Sequence, residues 1–240
     1  MRECKASNCY MQAHGYSSYC DKHKRNLARH GHPYQIGIKK ADLKPYIGEI
    51  RAFLESNHQG KAQAVISDAW GRVVKDAHRF VDRANQGHPF ISYEMQAHRA
   101  ILSLDREQNA ETIGVLLIAM GFWYQDNPRF WRLDEGFQFQ TIRMLLRLNP
   151  REAQYQWRNG KMERSRFRET PPKTIRALWD IVYPTGFISY GVEIAKRKSA
   201  ALEAKRTRAE RERAAFFGDD MESVSGSSSI ASVTPHEVRS

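Results

Sequence analysis

All three cysteines of this 240-residue chain fall within its first twenty positions. Four residues separate Cys4 from Cys9, ten separate Cys9 from Cys20, and two separate Cys20 from His23, the pattern C-x4-C-x10-C-x2-H. Thiolate sulfur and imidazole nitrogen are the donors that Zn2+ prefers, and structural zinc takes four of them as two closely spaced pairs joined by a loop. Cys4 and Cys9 suit a tight knuckle. Cys20 and His23 are three apart and share one side of a helix's first turn. "CDKHKRNLARH" reads as such a helix start, with Asp21 near the beginning and cations following. His14, His30 and His32 are also near; His23 is preferred for its spacing from Cys20, with His14 placed in the loop and His30 at a helix end. Four ligands leave no open position for water, so the expected Zn2+ is structural and no catalytic residue is assigned to it. An odd number of cysteines also argues against a disulfide framework.

A second chemistry is written in cations. Lys22, Lys24, Arg25 and Arg29 follow the cysteines and predict a helix that faces phosphates. The stretch 151–173 is rich in Lys and Arg, with Tyr155, Trp157 and Phe167 interleaved, and Asn159-Gly160 marks a turn between two short arms. Cations contact phosphates and aromatic faces stack on bases, so Arg158, Lys161, Arg164, Arg166 and Arg168 form a second candidate nucleic-acid contact. The bland alternative is a loop whose aromatics anchor it to the core. Two acid–histidine pairs at helical spacing, His78 with Asp82 and Glu94 with His98, could serve acid–base chemistry or surface hydrogen bonding. The chain has no P-loop, G-x-G-x-x-G, H-E-x-x-H or G-x-S-x-G motif.

The elements that must position these residues read as helices. Leu43, Ile47, Ile50 and Leu54 recur at period 3.6. A second run opens at Gly60 with Ala64, Trp70, Val73, Val74, Ala77 and Val81 on one side. A third is capped by Ser92. Ile113 to Tyr124 is apolar all round and therefore central, yet at 12 residues it is too short to span a bilayer. Asn127-Pro128 interrupts the chain, a helix from Asp134 ends by Asn149-Pro150, and another begins with a Thr170 cap and ends before Pro184. A last helix begins near Phe187. No alternating strands are evident beyond residue 36. The expected fold is mainly α: a zinc-knuckle or treble-clef-like module over 1–36, an all-α domain over 41–195, a basic helix over 196–217 and a disordered Ser-rich tail over 218–240.

The net charge of +11 is unevenly spread. Residues 1–40 carry eight Lys/Arg against two acids, 41–195 carry 21 against 18, 196–213 carry eight against three, and 214–240 carry one against four. Positive charge concentrated at both ends of the folded part predicts a polyanionic partner. Glu203 and Arg206 offer a local pair in the basic helix, which has no bulky apolar face for a membrane surface. No apolar leader precedes the cysteines, which predicts a cytoplasmic protein with reduced thiols.

The N-terminal residues resemble a small zinc module of phage and mobile-element proteins, with a C-x4-C pair, a loop, C-x2-H, and a short basic helix ending in R-x-G-x-P. Arg29, Gly31 and Pro33 match that ending, while the position after the ligand His, often aromatic in that family, is Lys24. The resemblance covers about 35 of the 240 residues. It implies a DNA-handling role, with DNA favoured over RNA, in the host cell of a phage or mobile element. Such modules often precede an HNH nuclease, but the residues after 40 offer helices in place of its strand–strand–helix. The reading is a non-enzymatic nucleic-acid-binding protein. Its alternatives are an adaptor that docks a protein through the zinc module, and a hydrolase with a site among the helices.

Overall fold

A computed structural model of the chain describes residues 2–56, 60–149, 155–158, 160–164 and 170–225. The fold is mainly α, with a small cysteine-bearing head at the N-terminus. Two compact units make up the chain, Met1–Ala195 and Lys196–Ser240.

In the first unit the helices are α1 (Asp21–His30), α2 (Lys40–Ser56), α3 (Lys61–Asn85), α4 (Ser92–Glu107), α5 (Ala110–Asp126), α6 (Asp134–Leu146), α7 (Pro172–Val182) and the start of α8 (Phe187–Ser225). Helix α5 is the axis of the core. Every residue from Ile113 to Trp123 is buried, as a helix apolar on all faces must be. Its start is fixed by Asn109, whose side chain accepts the Thr112 N–H at 2.7 Å. Helices α2, α3 and α6 pack on α5, while α7 packs on α4 and α6. Two glycines let α8 approach α5 backbone to backbone: a Cβ on Gly121 would stand 2.0 Å from the Ile188 carbonyl oxygen, and one on Gly191 would stand 2.0 Å from that of Ile118.

The helical periods hold, with local shifts. Helix α3 buries Ile66, Ala69, Trp70, Val73 and Ala77. Ala64 is exposed instead, because Ile66 turns inward to rest on Gly114, where a side chain would collide with it. Ser92 is the first residue inside α4, behind an Ile91 cap. Pro171, not Thr170, caps α7, and Pro172 follows at the first helical position, where proline's fixed φ and missing N–H are tolerated. One departure is a strand pair. Tyr155–Arg158 (β1) and Lys161–Arg164 (β2) form an antiparallel hairpin with Arg158 opposite Lys161 and Tyr155 opposite Arg164. Gly160, at φ 73°, serves its turn.

In the second unit, residues 196–214 of α8 are exposed throughout, and Arg208 pairs with Glu212 at 2.8 Å. The helix continues to Ser225, so the first residues of the segment expected to be disordered are helical; 226–240 lie outside the described residues. Among the described residues no helix is long and apolar enough to cross a membrane.

Candidate metal centre

The head is built from two turns and a helix start. Cys4 N–H donates to the Met11 carbonyl at 3.0 Å and Ala13 N–H to that of Arg2 at 2.9 Å, closing a first loop. Within it Cys9 N–H reaches Ala6 O at 3.1 Å, with Asn8 at φ 57°, a left-handed conformation that asparagine tolerates. A second turn runs from His14 to Ser17 over Gly15, held by Ser17 N–H to His14 O at 3.0 Å and His14 N–H to Tyr19 O at 3.1 Å. Cys20 then caps α1, and His23 sits on its first turn.

These elements converge on one point. One donor atom from each of Cys4, Cys9, Cys20 and His23 lies within 4.8 Å of the others. His23 Nδ1 is 3.5 Å from Cys4 Sγ and 3.4 Å from Cys20 Sγ, and Cys9 Sγ is 3.9 Å from Cys20 Sγ. A tetrahedron with sulfurs ~2.3 Å and nitrogen ~2.0 Å from zinc has edges of about 3.8 Å between sulfurs and about 3.5 Å between sulfur and nitrogen. The three distances fit those edges. Cys4, Cys20 and His23 are buried and Cys9 is partly so. Three sulfurs and one imidazole nitrogen within 4.8 Å of one another could hold a metal ion, and that donor chemistry suits one of zinc type, which would cross-link the two loops to α1.

The surrounding groups suit the thiolate form. Burial alone would raise the Cys4 thiol, but N–H groups of Cys20 and Ala6, with His23 and Cys9, outweigh it and lower Cys4 to about 6. The Cys20 N–H stands 3.3 Å from Cys4 Sγ. At Cys9 the Met11 backbone pulls the thiol down, yet burial and the neighbouring Cys4 and Cys20 push it above the ordinary value. Behind His23 stands the Tyr34 ring, with centroids 4.9 Å apart, and the Tyr34 hydroxyl donates to Ser7 O in the first loop. Tyr34 thus fills the role that the position of Lys24 leaves open, a partner hidden from local spacing because the chain returns eleven residues later. His14 stays outside the cluster and pairs with Asp21 at 3.0 Å. His30 ends α1.

Arg29 and Gly31 of the R-x-G-x-P ending meet the helical body, and Pro33 closes back on α1. Gly31 takes φ 74°, and a Cβ there would meet Glu135 O of α6 at 2.9 Å. Pro33 O accepts from Asn26 Nδ2 at 3.0 Å. Arg143 of α6 donates to Arg29 O at 3.0 Å, and Gln140 bonds His30. Two buried glutamines continue the seam. Gln35 accepts from Arg132 N–H at 3.1 Å and donates to Phe130 O at 3.3 Å, while Gln140 accepts from Ile38 N–H at 3.3 Å.

The predicted cations divide. Lys22, Lys24, Arg25 and Arg29 are all exposed on α1. At roughly 100° per residue, Lys22, Arg25 and Arg29 share one stripe, and Lys24 falls on the opposite flank of the buried His23 face. Arg158, Lys161 and Arg164 belong to the β1–β2 hairpin; Arg166 and Arg168 lie outside the described residues. Among the acid–histidine pairs, His78 and Asp82 are exposed on α3. Glu94 and His98 instead line a cleft of about 440 Å3 between α4 and α7, with Tyr93, Lys173, Arg176 and Asp180. His98 stacks on Phe80 at 4.0 Å, and its buried Nδ1 has no hydrogen-bond partner among the described residues. Sequence spacing could pair Glu94 with His98 but could not bring in α7, some 80 residues away. Compared with known proteins, the chain matches no family model, no curated protein and no solved structure.

Proposed function

We propose that this chain is a non-enzymatic, zinc-stabilised nucleic-acid-binding protein of phage or mobile-element type, in which Cys4, Cys9, Cys20 and His23 hold a structural Zn2+. The observation that carries the reading is the convergence of those four donors at the base of α1, whose opposite stripe presents Lys22, Arg25 and Arg29 to solvent. The ion rigidifies the head, and the stripe meets phosphates. Such contacts position a protein without reading sequence. DNA is the favoured polymer, and the basic residues of the hairpin and of α8 extend the attraction.

Metal analysis of purified protein should give one zinc per chain. A gel shift at two salt concentrations should show binding that weakens steeply with salt, with a logarithmic slope near −0.9 per duplex phosphate neutralised. Failure to bind any nucleic acid at low salt would turn the reading towards a protein-docking adaptor. The cleft that joins Glu94 to His98 favours a second reading, hydrolysis in the helical body. It ranks lower because His78 stands apart from that cleft and, among the described residues, no Ser, Thr or Cys lines it. Hydrolysis of a model phosphodiester or ester that His98→Asn abolishes would promote it.

A further inference from the structure

We propose, resting on the nucleic-acid reading above, that the head grips unpaired bases: Tyr10 and Tyr16 each stack on a base of a single-stranded nucleic acid while Arg2, Lys5, Lys22 and Arg25 hold its phosphates. The motivation is where the head spends its aromatic rings. Tyr34 backs His23, and Tyr19 packs on the small cluster of Cys4, Ala6 and Cys20. Tyr10 and Tyr16 do neither; they are 90% and 99% exposed, with Met11 67% exposed beside Tyr10.

Their backbone is nonetheless held. Tyr10 follows Cys9, whose N–H is bonded to Ala6 O, and precedes Met11, whose carbonyl accepts from Cys4. Tyr16 tops the turn closed between His14 and Ser17. A ring on a fixed backbone has two side-chain torsions left to order, so stacking costs little entropy. The charges that the head exposes select the occupant. Arg2, Lys5, Lys22, Lys24 and Arg25 are exposed, while Asp21 is engaged by His14 and Glu3 is the other exposed acid of the head. The centre of a protein interface is depleted in lysine, whereas cations interleaved with aromatic faces are how single strands are held. Duplex bases are already stacked on one another, so the rings need an unpaired strand.

The test uses the full zinc-loaded chain and fluorescence anisotropy with a labelled dT20 and a 20-base-pair duplex, each at two salt concentrations. Tyr10→Ala and Tyr16→Ala should each weaken dT20 binding about 5- to 150-fold, leaving duplex affinity, salt slope and zinc content unchanged. Tyr10→Phe and Tyr16→Phe should bind dT20 like the parent. Alanine variants that bind dT20 as tightly as the parent, while the parent binds both polymers, overturn the stacking and leave the nucleic-acid reading standing. Equal losses on dT20 and duplex also overturn it. A parent that binds neither polymer at low salt overturns the nucleic-acid reading itself, and stacking with it, leaving the two tyrosines as a protein-docking pair.

Discussion

Removing the metal should unfold the head and spare the helical body. The structure sets the size of the effect. The head's own core is Cys4, Ala6 and Cys20, worth roughly 3 kcal/mol at about 0.8 kcal/mol per buried methylene-sized group. Backbone hydrogen bonds from the N–H groups of Cys4, Lys5, Cys9, Ala13, His14 and Ser17 add roughly 6 kcal/mol at about 1 kcal/mol each. Ordering residues 2–20 costs roughly 20 kcal/mol at about 1 kcal/mol per residue. A structural zinc on the four donors would contribute about 10–16 kcal/mol, enough to close the balance. Without it the head falls about 10 kcal/mol short. A chelator titration followed by hydrogen exchange should therefore strip protection from the Cys4, Lys5, Ala13 and His14 amides, while α5 amides keep theirs. Head amides that stay protected in protein shown to be metal-free would refute the reasoning.

Other expectations test the body and the seam. Gly191→Ala puts a methyl into the Ile118 carbonyl and should cost about 1–3 kcal/mol or more, whereas Gly71→Ala, with open space around it on α3, should gain about 0.5–1 kcal/mol; thermal melts of the two should move in opposite directions. Gly31→Ala should lower stability through its left-handed φ and its contact with Glu135, with zinc content retained, as read by metal analysis beside a denaturant melt. Burial lowers His98 below its ordinary 6.5 against the opposing pull of Glu94 and Asp76. The unfolded chain then takes up the proton first, so stability is full above about 6.5 and falls as pH drops towards the folded value; urea midpoints at pH 7 and pH 5 should show this, and His98→Phe, able to stack on Phe80, should reduce the difference.

The metal donors were legible because their chemistry is local: Cys20 and His23 lie on one helix turn, and Cys4 and Cys9 on one loop. The helices were legible wherever one face is apolar, and α5 because all its faces are. The hairpin was half legible. Asn159-Gly160 marked the turn, but strands of four residues are too short to display alternation. Caps misled at Ser92 and Thr170, where Ile91 and Pro171 hold the position without a side-chain bond. Tyr34, Gln35 and Gln140 could not be found at all. Tyr34 acts only once the chain folds back on α1, the glutamines only once the segment after α1 lies against α6, and a buried glutamine has no sequence signature apart from an exposed one.

That seam divides the work of the N-terminal residues into two parts. Ligation needs Cys4, Cys9, Cys20 and His23, and would shape a head on its own. Placement needs Gly31, Gln35 and Gln140, which contribute nothing to the donor set. Arg29 O accepts from Arg143, and Gln140 joins His30 to Ile38, so the far end of α1 is held by the body, while a metal on the four donors would hold its near end. A helix fixed at both ends presents Lys22, Arg25 and Arg29 in one constant direction. For a partner held through phosphates, where each contact is weak and screened by salt, fixed spacing between cations lets several engage at once without further ordering cost. The body's helices would then act as the frame that keeps that spacing.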